Sequence, residues 1–384
     1  MLQTQASKGR RLPFIDFARG IVMAIMAWDH VSGFWNLYHR GGEGVMGRTN
    51  AVQNTTWFLA RFVSHFCAPT FIFLAGTVLA LSTIKRLDRG ESQKDASLRM
   101  IKRGGVLLLL EIFVVTPAFG GSPLYFGVIA CIGTCFIIFS AYRRLPVKLI
   151  LLISIVIVLA HPYIDLGFIP ADNPIGWYAR VILHEPNYEW DPFTGLYPIF
   201  PWIGVMGLGW CFGMMLSGMT SSQIDGLKLP MVGAGCLSIA LFFVVRWVNG
   251  YGNLLFRGRS LFDNMPLVDW LYVSKYPPSL AFLLLTLGGM SLFLALGLHL
   301  QSRPGFQNGI TGVISTFGSN ALFFYLTHLW LYRVRPGWMP SPVYFLDLQT
   351  TLVFWAVGLV VLWRLCLRYE KFKAAHRDSL LQYI

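Results

Sequence analysis

Long apolar runs separated by short polar or basic connectors dominate the chain. VLLLLEIFVV, LILLISIVIVLA, LSIALFFVVRWV and LVFWAVGLVVLW lie in stretches near twenty residues. That length crosses the roughly 30 Å hydrocarbon layer of a bilayer as helix. The pattern predicts helices over 14–31, 57–84, 104–117, 123–141, 147–163, 195–217, 229–248, 277–299, 311–332 and 345–366. The fold class is therefore all-α: a polytopic transmembrane bundle of about ten helices, one domain over residues 1–384, with both termini on one side. Residues 1–13 (MLQTQASKGRRLP) read as a cytoplasmic N-tail and 367–384 as a cytoplasmic C-tail. AWDHVSGFW follows the first apolar run where a cleavable signal would need a small-residue site, so that run is expected to be retained.

Composition sharpens this picture. Of 384 residues, 55% are hydrophobic and 13% charged, about half the charged share of a soluble protein. With the N-terminus inside, the inner segments carry 20 Lys and Arg against 10 in the outer ones, following the positive-inside rule. KRLDRGESQKDASLRMIKR supplies most of that excess. The net charge of +13 thus reports topology and contact with anionic lipid. Basic residues scattered over short loops argue against a nucleic-acid partner. The six cysteines fall inside predicted spans and read as small packing residues, so neither disulfides nor a metal site is expected.

The outer loops, 32–56, 162–194 and 249–276, are long and rich in Trp, Tyr, Asn, Gly and Pro. A ligand site would be built there. Six of the eight histidines fall in the same half.

FARGIVMAIMAWDH carries the clearest chemistry. Eleven helical steps place Arg19 and His30 on one face, about 16 Å apart along the axis. Asp16 shares that face near Arg19, and Asp29 is turned about 100° from His30. A buried ionisable group in a span faces a polar cavity or a partner. The arrangement suits an anion at the basic end and acid–base chemistry at the outer end. Equally, Asp16 and Arg19 form an interfacial ion pair while His30 ends the helix. In RFVSHFCAPTFIFLAG, His65 precedes Pro69, and reads as a mouth residue or a packed histidine. Trp202 in YPIFPWIGVMGLG is a sugar platform or an interfacial belt residue. In FGSNALFFYLTHLW, Tyr325 and His328 can meet across one turn below Asn320, lining a cavity or joining helices. No Walker A loop, GxGxxG, HExxH or GxSxG is present.

Five stretches in register, RLPFIDFARGIVMAIMAWDHVSGF, SHFCAPTFIFLAG, YPIFPWIGVMGLG, KYPPSLAFLLLTLGG and FGSNALFFYLTH, resemble a bacterial membrane family related to heparan-α-glucosaminide N-acetyltransferase. They also resemble a wider clan of membrane acyltransferases marked by Arg-x10-His on the first helix, which Arg19 and His30 match. The resemblance implies transfer of an acetyl or other acyl group from cytosolic acetyl-CoA to a sugar amine or hydroxyl across the bilayer. It implies a multi-pass protein of a bacterial inner membrane and is compatible with a homodimer. Arg19, with Asp16, would serve the donor; His65, Asn320 and His328 would line its path. Trp202, Tyr276, Lys275 and Tyr325 would meet the acceptor. The family's catalytic histidine sits just beyond the position of His30, where His39 is the nearest candidate, so His30 is taken first as the base and His39 second, with Asp29 beside them. The competing reading is a transporter or exporter of a small polar or anionic metabolite.

Overall fold

In a computed structural model, residues 12–39, 54–120, 124–185, 193–253, 266–334 and 346–376 are described. Helix α1 (Pro13–Trp35) begins with proline at its first turn, where no amide hydrogen is needed, and runs through the middle of the bundle. Three tryptophans tie it to its neighbours: Trp28 Nε1 donates to Ala60 O (2.6 Å), Trp35 Nε1 to Tyr332 O (2.6 Å) and Trp355 Nε1 to Ala24 O (2.8 Å). A short helical turn, Leu37–His39, follows.

The second expected span arrives in two pieces. Helix α2 (Thr55–Phe62) is capped by Asn54 Oδ1, which accepts from Thr56 N at 2.8 Å. A tight 3₁₀ turn, Val63–Phe66, precedes α3 (Cys67–Leu87). Pro69 thus falls in the first turn of α3, where its missing N–H costs nothing. The third span is longer than its apolar core. Helix α4 (Gln93–Leu110) starts in the charged loop at a Ser92 cap and ends in a π turn, Glu111–Val115, before α5 (Thr116–Phe119).

Helices α6 (Val128–Tyr142), α7 (Val147–Ala160) and α8 (Pro174–Leu183) come next. Then follow α9 (Ile199–Ser217), α10 (Ser221–Asp225), α11 (Lys228–Val248), α12 (Pro266–Leu271) and α13 (Leu280–Leu300). The last are α14 (Gly309–Ser319), α15 (Ala321–Arg333) and α16 (Leu348–Ala375). The only strands among the described residues are β1 (Leu124–Phe126) and β2 (Phe193–Gly195), a parallel pair with Tyr125 opposite Thr194.

Among the described residues five helical stretches are long and apolar enough to cross a membrane, or six if α14 and α15 count as one. The other expected spans are α1, which carries Asp16, Arg19 and Asp29, the α4–α5 stretch with its charged start, and the shorter apolar helices α6 and α7. The stretch 311–332 is not one straight span. It bends by 94° at Asn320, whose backbone leaves the helical region. Asn320 Nδ2 donates to Thr316 O (2.9 Å) and to Glu370 Oε1 on α16 (2.8 Å), which fixes the break.

Water gives little drive for helix association inside lipid, so close backbone packing must supply it. In α3 and α9 that contact is made by glycine: a Cβ on Gly209 would fall on the carbonyl of Phe73. Thr77 Oγ1 adds a hydrogen bond to Gly209 O at 3.0 Å. Gly209→Val should therefore cost about 1–3 kcal/mol or more by overpacking, read as a lower thermal midpoint in detergent.

Candidate functional site

One end of the bundle opens into a cavity of about 300 Å³. The C-terminal half of α1 lays Met26, Asp29, His30 and Gly33 along its wall. The start of α3 contributes Cys67, the β1–β2 pair Tyr125 and Thr194, and the approach to α13 Lys275 and Tyr276. Bringing the two strands together joins loops about seventy residues apart in the chain, which is how Thr194 and Tyr197 reach a wall shared with α1. Tyr197 and Tyr276 meet hydroxyl to hydroxyl at 3.2 Å.

Two histidines face this cavity, each with a different partner. His39 Nε2 lies 3.3 Å from Asp29 Oδ1, and Arg61 donates to the His39 backbone carbonyl. The roughly 100° between Asp29 and His30 on the helix thus turns the carboxylate away from His30 and onto His39. His30 Nδ1 instead lies 2.6 Å from His328 Nε2, and His328 Nδ1 lies 3.0 Å from Phe324 O. A carbonyl only accepts, so in the neutral pair His328 carries its proton on Nδ1 and accepts at Nε2. His30 must then donate from Nδ1, which leaves its Nε2 lone pair as the basic position. His328 is fully buried, so losing this contact strands a donor. His328→Phe should cost about 1–3 kcal/mol, measured by thermal unfolding.

Lys275 is 6% exposed, and its charge acts on Asp29. Its ammonium also lies 5.2 Å from the Tyr276 ring centroid. The cavity therefore holds a carboxylate, a cation, two imidazoles and four phenols within one largely apolar wall.

Of the residues singled out in the sequence, His30, His39, Asp29, Lys275, Tyr276 and Tyr325 line the cavity. His328 stands behind His30. His65 is buried between the rings of Phe62 and Phe282 beside the wall. Asn320 is not at the cavity: it sits at the α14–α15 bend, held by Glu370. Trp202 is fully buried against Tyr197 (5.8 Å between centroids), so it supports the wall and offers no open ring face. Arg19 lies at the other end of α1, 4.0 Å from Asp16.

The structure shows which cations of the basic inner end gather around Arg19. Arg103 is buried and lies within reach of the charges of Arg99, Arg19 and Arg86. Lys373 on α16 lies close enough to feel the charge of Arg103. These cations come from four helices and form one positive patch, while Arg99 is also bidentate to Glu91. Their signal was a cation in each of several loops, which topology alone already explained.

The fold and site define a helical membrane bundle with a basic patch at one end and a histidine-lined cavity at the other. Residues 11–243 match the family model described as heparan-alpha-glucosaminide N-acetyltransferase, catalytic, and the chain belongs to that family of membrane acetyltransferases. The mouse (Mus musculus) heparan-alpha-glucosaminide N-acetyltransferase is 24% identical over 124 residues, covering 32% of this chain and 16% of the mouse protein. The family match contains α1 and the histidine cavity's first wall, whereas the KYPPSLAFLLLTLGG and FGSNALFFYLTH stretches lie beyond it.

Proposed function

We propose that the protein transfers an acetyl group from cytosolic acetyl-CoA to an amine or hydroxyl of a sugar-like acceptor on the other side of a bacterial inner membrane. The observation that carries this reading is the Asp29–His39 pair inside the cavity, in a chain of an acetyltransferase family. The basic patch around Arg19 and Arg103 would hold the donor's phosphates through charge-assisted hydrogen bonds. Its acyl arm would extend along α1 toward the cavity, a distance matching the roughly 16 Å between Arg19 and His30.

At the cavity, the acceptor nitrogen or oxygen attacks the thioester carbonyl. His39 takes the acceptor's proton, with Asp29 orienting the ring and stabilising the imidazolium that forms. A new C–N or C–O bond forms, the C–S bond breaks, and CoA leaves as thiolate. Lys275 and the Tyr197–Tyr276 hydroxyls would stabilise the charge on the carbonyl oxygen. The carboxylate partner favours His39 over His30 as base, since His30 faces a neutral histidine. His30 would then accept a hydrogen bond from the acceptor at Nε2 and hold it in line. A phenol-lined wall of this size suits a single sugar ring and a two-carbon acyl group.

The rival is a transporter of a small anion, which the same patch and cavity would also serve. Acetyl-CoA separates the two. At 100 times its dissociation constant it should stabilise the purified protein by about 2.7 kcal/mol, seen as a raised thermal midpoint. An unchanged midpoint in folded protein would remove the donor from the scheme.

A further inference from the structure

A second recess, of about 630 Å³, opens at the basic end of the bundle between the end of α3, the start of α4, the α6–α7 turn and α9. Its polar lining is Thr83, Gln93, Lys94, Arg143, Arg144 and Trp210, and among the described residues no carboxylate lines it. Of the nearby acids, Glu91 pairs with Arg99 and also acts on Arg143, and Asp95 accepts from Ser92 Oγ at 2.6 Å.

The walls of this recess carry unused hydrogen-bonding groups. Thr83 is 1% exposed and Trp210 3%, yet among the described residues neither the Thr83 hydroxyl nor the Trp210 indole N–H has a partner. Arg143 donates to Gln93 Oε1 (2.6 Å), Gln93 O (2.8 Å) and Ser97 Oγ (3.1 Å), which fixes its guanidinium, while its Nε remains buried and unpartnered. Buried donors left unmatched are costly, and a native structure normally satisfies them. Indole and guanidinium nitrogens only donate, and a hydroxyl can donate. The matching ligand is therefore an acceptor-rich anion. Adjacent Lys94 and Arg144 add charge to this donor set, and the cleft is wide enough for a tetrahedral oxyanion with a substituent.

We propose that this cleft binds a phosphate group, presented by an anionic lipid headgroup or by a soluble phosphorylated metabolite. Basic pockets between helices at a bilayer's cytoplasmic face suit such groups. On α4 the cleft and Arg103 lie on different faces, although Arg99 of the patch also acts on Arg143. Nine helical steps, about 900°, separate Lys94 from Arg103 and place them on opposite sides of α4. Along α3, Thr83 is roughly 24 Å from the cavity residue Cys67. The inference stands on the cleft's own donors and is independent of acetyl transfer.

The test uses the full-length protein and two phosphate sources. Pyrophosphate is titrated against the thermal midpoint in neutral detergent, and phosphatidylglycerol nanodiscs are compared with phosphatidylcholine nanodiscs. Wild type, Trp210→Phe, Arg103→Met and the double variant Lys94→Ala/Arg144→Ala are measured. A pyrophosphate shift identifies a soluble ligand; a shift only in phosphatidylglycerol identifies a headgroup. In either arm the shift should persist in Arg103→Met. Trp210→Phe keeps the ring but not the N–H and should weaken binding several-fold, and the double variant at least about tenfold. Absence of any shift with wild type in both arms overturns the proposal. So does a shift lost in Arg103→Met and kept in the double variant.

Discussion

His39→Ala should lower acetyl transfer by about 10²–10⁴-fold, the usual contribution of a positioned general base, while acetyl-CoA still raises the thermal midpoint. Asp29→Asn should lower turnover by a similar factor, because an amide neither fixes the imidazole tautomer nor stabilises the imidazolium. The two losses should not multiply. Asp29 acts through His39 at 3.3 Å, so the double variant should be little worse than His39→Ala. His30→Ala separates the assignments, since it removes a ring held by His328 while leaving the carboxylate pair intact. It should raise the acceptor's KM more than it lowers kcat. Rate against acceptor concentration measures that split. If His30→Ala abolishes turnover and His39→Ala does not, the base is His30.

Arg103→Met should weaken acetyl-CoA binding by about 10–100-fold, the worth of one or two charge-assisted hydrogen bonds. Methionine keeps an apolar stem of similar length but removes the guanidinium, whose central carbon lies 5.4 Å from the Phe136 ring centroid, so both the charge and that ring contact are lost. Arg103 shares its positive surroundings with Arg99, Arg19 and Arg86. An anion bound there relieves that repulsion, and donor affinity should fall steeply with added salt. Titration of acetyl-CoA against the thermal midpoint gives the affinity. Turnover at saturating donor should remain within a few-fold of wild type, because the patch and the cavity lie at opposite ends of α1.

Much of this was legible in the residues. Apolar runs fixed where helices lie, and the helical angle of Asp29 already turned it from His30. The sequence did not show the carboxylate's partner, because His39 reaches Asp29 only by the Leu37–His39 turn folding back over α1. Asn320 misled for a physical reason: its side chain satisfies the broken helix at a 94° bend, a role that reads like a polar cavity residue in one dimension. Trp202 likewise was an aromatic beside a proline, and only packing shows its ring sealed beneath Tyr197. Tyr197 and Thr194 were invisible because the β1–β2 pair that delivers them is three residues long and joins distant loops.

Release of CoA thiol from acetyl-CoA by the purified protein, with glucosamine as acceptor, tests the central claim most directly. The account predicts steady release by wild type and its near-complete loss in His39→Ala protein that acetyl-CoA still stabilises. Equal release by both proteins would contradict the role of the Asp29–His39 pair. No release and no stabilisation of wild type would contradict acetyl transfer itself.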